Sequence, residues 1–114
     1  MLRATAPYAD DVKVSLLYFD DCPSWQTAAR HLDQLADELP GVKLERVLVD
    51  TAEAAERTQF RGSPSFHVNG SDLFADPDAP VGLSCRIYQT PHGPVGSPTI
   101  DQLRRALQSA SEVD

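Results

Sequence analysis

Two cysteines, Cys22 and Cys85, are the only thiols in a chain of 114 residues. They are too few for a disulfide scaffold, and a reducing compartment keeps such residues as thiols unless they do chemistry. The thiolate, not the thiol, is the nucleophile and the soft-metal ligand, so reactivity depends on what stabilises its negative charge. Cys22 lies in "YFDDCPSW", where an apolar run ends and a helical pattern begins. A thiol at that joint meets unpaired backbone N–H groups and the positive end of the helix dipole, which lower its pKa from about 8.5 toward ~3.5–7.5. Asp20 and Asp21 act in the opposite sense by placing negative charge beside it, unless one of them accepts a proton. The histidines offer less. His31 falls on the outer part of a helical pattern, His67 in a strand-like run and His92 in "TPHGP". No Cys-x-x-Cys or His-x-x-x-His spacing supports zinc. Gly-rich phosphate loops, serine triads and paired glycosidase carboxylates are also missing from the sequence, so neither a metal nor a cofactor is expected.

The elements that must position Cys22 can be read from periodicity. "VKVSLLYF" ends nearly continuously apolar, as for a central strand covered on both faces. From Pro23 onward, Trp25, Ala28, Ala29, Leu32, Leu35, Ala36 and Leu39 recur at helical intervals, and Pro40–Gly41 stops the helix. "VKLERVLVD" predicts a second strand. Asp50 and Glu53 have capping-box spacing for a short helix through about Phe60, closed by Gly62. "SPSFHVNGSDLFA" predicts two strands turning at Asn69–Gly70. The Pro- and Gly-rich stretch 76–98 is expected to be mostly loop, with "CRIYQT" as a short strand. Ile100, Leu103, Ala106 and Leu107 share one face of a last helix. Strand–helix–strand requires a parallel crossover, and the hairpin is antiparallel, so a mixed sheet with helices on its faces is expected.

Length sets one domain, at residues 12–110, with a flexible arm at 1–11 and a tail at 111–114. Seventeen acidic against ten basic residues give a formal charge of −7, which repels a phosphate backbone and argues against nucleic acid. No apolar run approaches the ~20 residues that cross a bilayer, and "MLRATAPYADD" has no apolar segment of a secretory signal. A cytoplasmic location without membrane partners is expected.

On "DDCPSW", "GSPSF" and "VNG" the chain resembles the thioredoxin-fold superfamily, in particular glutaredoxin-like proteins, over roughly residues 12–75 and the last helix. The resemblance implies an α/β thioredoxin-like fold: a mixed four-stranded sheet, helices on both faces and a long loop before the last helix. It implies that Cys22 is the reactive cysteine at the start of the first helix and Pro64 a cis-proline facing it. Trp25 stands where a dithiol motif has its second cysteine. On that framework Ser71–Ala75 returns toward Cys22, and Cys85 becomes a resolving or second metal-binding thiol if the two Cα atoms come within about 7 Å. The plainer reading of Cys85 is a small buried apolar residue. Pro23, Trp25, Ser63 and Pro64 are then expected at the substrate, with Pro64 presenting backbone groups to a substrate chain. Arg61 and Arg86 flank the site and are suited to the carboxylates of a low-molecular-weight thiol, although ordinary surface charge is the simpler reading of each.

The wider set "LLYFDDCPSW", "GSPSFHVNG", "PVGLSCRIY" and "GSPTIDQLRRAL" looks like a small group of thioredoxin-fold proteins often labelled alkylmercury lyase. Organomercurial lyases use two cysteines and an aspartate, a set that maps onto Cys22, Cys85 and either Asp20 or Asp21. Three functions follow as expectations: a thiol–disulfide oxidoreductase acting on a protein disulfide or low-molecular-weight thiol, with Cys22 as nucleophile and Cys85 resolving; cleavage of an organomercurial at the same thiols; and a noncatalytic module that binds a soft metal or partner protein. Oligomeric state is not encoded in any of these patterns.

Overall fold

The computed structural model of the chain describes residues 12–76 and 78–112. The expected arm at 1–11 and the last two residues of the expected tail lie outside the described residues. The elements run β1 (Val12–Tyr18), α1 (Ser24–Glu38), β2 (Val42–Leu48), α2 (Ala52–Thr58), β3 (Ser65–Val68), β4 (Ser71–Asp72), β5 (Tyr88–Thr90), β6 (Gly93–Val95) and α3 (Ile100–Glu112). Four strands form one mixed sheet in the order β2-β1-β3-β4. β1 is parallel to β2 and antiparallel to β3, and β3 is antiparallel to β4.

β1 is central, and its apolar residues supply both faces. Val12, Val14 and Leu16 pack with Ala28, Ala29, Leu32 and Leu35 of α1 and with Leu103 and Leu107 of α3. Leu17 turns the other way, to a smaller core with Val49, Ala55 and Phe60 under α2. This is why the strand reads as continuous rather than alternating near its end. Asn69 and Gly70 close the β3–β4 hairpin at φ 53° and 84°, the left-handed pair that a two-residue turn requires.

Three details depart from the sequence reading. The cap of α2 is Thr51, whose hydroxyl accepts from the Ala54 N–H at 3.0 Å, rather than Asp50. Both are good capping residues, and the choice depends on backbone direction. α2 ends at Gln59, in the left-handed region with φ 56°, and not at Gly62. Gly62 has φ 114° and lets another segment come close, since a Cβ there would stand 3.0 Å from the Arg86 Cβ. Within the expected loop, β5 and β6 form a separate two-stranded ribbon. Thr90 Oγ1 closes its turn, donating to the Gly93 carbonyl and accepting from the His92 N–H. The "CRIYQT" strand therefore begins only at Tyr88, while α3 continues to Glu112.

Candidate functional site

The site lies where β1 runs into α1. The Phe19 carbonyl accepts from the Cys22 N–H at 3.0 Å and from Ser63 Oγ at 3.4 Å, so the turn through Asp20 and Asp21 returns Cys22 to the strand end. Pro23 follows as the cap of α1, with φ −65°. Its fixed φ suits a helix start, where a missing N–H costs nothing. Cys22 thus precedes the first turn of a 15-residue helix, at the end whose dipole favours negative charge.

Cys85, 63 positions further along the chain, is bonded to Cys22, with Cα atoms 5.7 Å apart. Its position is set by backbone. The Ser63 N–H donates to the Ser84 carbonyl at 2.8 Å and the Arg86 N–H donates to the Ser63 carbonyl at 2.9 Å, making a parallel bridge between Ser63 and Cys85. The Ser63–Pro64 peptide bond is cis. Tyr88, two residues beyond Arg86, donates its hydroxyl to the Pro64 carbonyl at 2.5 Å. Burial pushes the Tyr88 phenol far above its ordinary range, so it remains a donor.

The structure brings Cys22, Cys85, Ser63 and Pro64 together, but not in the roles expected for the last two. Ser63 and Pro64 are fully buried, and both backbone groups of Ser63 are used by residues 84 and 86 of the same chain. The edge expected to receive a substrate chain is filled. Arg86 also departs from expectation. It is buried, donating to Ser65 Oγ at 3.0 Å, to Asp72 Oδ2 at 2.8 Å and to the Phe74 carbonyl, with its guanidinium 4.9 Å from the Tyr88 ring centre. A group satisfied on all these sides anchors the Cys85 segment and does not meet a carboxylate from solvent. Arg61 turns to the Ala79 carbonyl. Trp25 stacks on Tyr18 at 4.4 Å and lies beneath Arg46, which makes it part of the α1–sheet packing. Asp20, Asp21 and Pro23 are exposed, and among the described residues neither aspartate is in an ion pair.

Sequence reasoning missed Asp72, Ser65 and Tyr88, which hold the Cys85 segment. Asp72 had one available signal: a two-residue Asn69–Gly70 turn places it opposite His67, in register. His31 is half-buried, with Nδ1 enclosed and unpartnered, and is not a solvated surface residue. Among the described residues no group of three or more His, Cys, Asp and Glu side chains is placed to hold a metal ion. No described helix is long and apolar enough to cross a membrane. No protein-family model matches the chain, and no curated protein matches it.

Proposed function

We propose that the chain is a thioredoxin-like thiol–disulfide oxidoreductase working through the Cys22–Cys85 pair. The observation that supports this reading is placement: Cys22 precedes the first turn of α1, and the Ser63–Cys85 backbone bridge brings the second cysteine beside it, with Cα atoms 5.7 Å apart. The mixed sheet, the parallel β1–α1–β2 unit and the β3–β4 hairpin support the thioredoxin-like assignment. In the reduced protein one thiolate attacks a substrate disulfide, forming a mixed disulfide and expelling one substrate thiolate. The second protein thiolate then attacks the mixed disulfide, closing Cys22–Cys85 and releasing the other substrate thiolate. Two electrons pass from the pair to the substrate, and a thiol reductant resets the pair by the reverse chemistry.

The inward turn of Arg61 and Arg86 leaves Asp20 and Asp21 as the exposed charges next to Cys22. That favours a protein disulfide, or a thiol without excess negative charge, over a small polyanionic thiol. The test is turnover of a neutral dialkyl disulfide, coupled to dithiothreitol, by the wild type and by Cys22→Ser and Cys85→Ser. Turnover by the wild type and rates at the uncatalysed background for both variants are expected. A wild-type rate no higher than background, with the substrate merely retained, would instead favour a binding module.

A second reading shares the same atoms. When reduced, the pair offers two converging thiolates to a soft metal, with the Asp20 and Asp21 carboxyl groups exposed beside Cys22 to relay a proton to the carbon leaving group. Release of hydrocarbon from an organomercurial, dependent on both cysteines, is its signature.

A further inference from the structure

The proposed exchange requires an external sulfur to reach one member of the pair, and the two are not equivalent. Cys22 is 2% exposed, whereas Cys85 is an exposed residue. Displacement at a disulfide is in line: the attacking sulfur approaches one sulfur from the side opposite the other. Cys85 is the member of the pair with surface open to an incoming sulfur. Cys22 is buried where the end of β1 turns into α1, so it offers almost no surface to an incoming sulfur. The neighbouring backbone edge, at Ser63, is closed by residues 84 and 86.

We infer that Cys85 is the sulfur that exchanges with substrate, and that Cys22 is the internal sulfur that leaves and returns. This reverses the order expected from the sequence, and it rests on the redox reading above. In the opening direction an external thiolate bonds to the Cys85 sulfur, the Cys22–Cys85 bond breaks, and its electron pair stays on Cys22 as a thiolate. A thiolate formed there lies at the positive end of α1, and stabilising the departing sulfur speeds the exchange. In the closing direction the Cys22 thiolate attacks Cys85 and expels the substrate sulfur as a thiolate. By microscopic reversibility both directions pass through the same Cys85 mixed disulfide. Helix activation at Cys22 thus serves the leaving group and the internal attack, not the first contact with substrate.

The experiment is to treat the oxidised wild-type protein with one equivalent of cysteamine, quench in acid at early times and map the adduct by mass spectrometry. The expected product carries cysteamine on Cys85 with Cys22 as a free thiol, in about tenfold or greater excess over the other isomer, because attack follows access. In parallel, Cys22→Ala incubated with cystamine should accumulate a stable adduct on Cys85, since no internal thiolate remains to expel it. A first adduct on Cys22 overturns the assignment while leaving the oxidoreductase reading intact. A bridge that cysteamine and dithiothreitol both fail to open overturns the redox reading and this inference with it.

Discussion

Arg86 and Asp72 meet at 2.8 Å with only 7% and 12% of their side chains exposed. Removing one member of a buried pair costs more than the pair itself contributes, because the remaining charge is stranded. Arg86→Met is therefore expected to lower unfolding stability by about 3–5 kcal/mol, with part of the loss recovered in the double variant Arg86→Met/Asp72→Leu. Urea denaturation of the three proteins measures both effects, and a single variant as stable as the wild type would remove Arg86 from its anchoring role. The charge of Arg86 was visible in the sequence, but its burial was not. Burial requires Asp72, Ser65 and the Phe74 carbonyl to converge from a hairpin, and no local pattern around "SCRIY" announces them. Cys22 has the same character. Its place at a helix start follows from "DDCPSW", whereas its enclosure depends on a segment that arrives from residues 84–86.

β3 is four residues long and buried throughout, and it carries a titratable group into that environment. Burial holds His67 below the ordinary imidazole range, opposed by the attraction of Asp72 and assisted by the repulsion of Arg86. Its Nε2 is enclosed without a partner. Because the folded pKa lies below the unfolded value of about 6.5, the unfolded chain binds more protons in the window between them. The contribution of neutral His67 is thus present above about pH 6.5 and declines as pH falls toward the folded pKa. Urea midpoints between pH 7.5 and 5 should fall in the wild type and fall less in His67→Gln; parallel curves would contradict this account. At this scale the sequence was most informative where apolar residues dominate a segment: β1 by its nearly continuous run, α1, β2 and α3 by their periodicities, and Asn69–Gly70 by its turn. The β5–β6 ribbon was hidden for a physical reason. Only Tyr88 in it is buried, Pro94 sits in its second strand, and the side chain of Thr90 closes the turn, so no alternating apolar pattern exists to be read. The α2 boundaries were displaced because Thr51 and Asp50 are adjacent capping candidates and because Gln59 adopts the left-handed conformation in place of a glycine.

Across the whole molecule, the bridge ties the start of α1 to the segment beyond β4 and encloses two helices and three strands between its ends. A loop closed across a sequence separation of 63 removes enough freedom from the unfolded chain to stabilise the fold by about 4 kcal/mol on the chain-entropy account. The reduced protein is accordingly expected to unfold at lower urea than the oxidised one, by the equivalent of about 2–5 kcal/mol, with its far-UV dichroism retained before the transition because the four-stranded sheet does not pass through the sulfurs. Equal midpoints would show that the unfolded chain is already constrained without the bridge. Folding and oxidation also share a thermodynamic cycle, so each must favour the other by the same amount. A stabilisation of about 4 kcal/mol corresponds to a roughly thousandfold higher effective concentration of one thiol at the other in the folded chain than in the unfolded one. Denaturation therefore changes the redox poise of the pair: a thiol buffer poised between the native and unfolded potentials leaves the bridge closed in the folded protein and opens it in urea, with no change in the buffer itself.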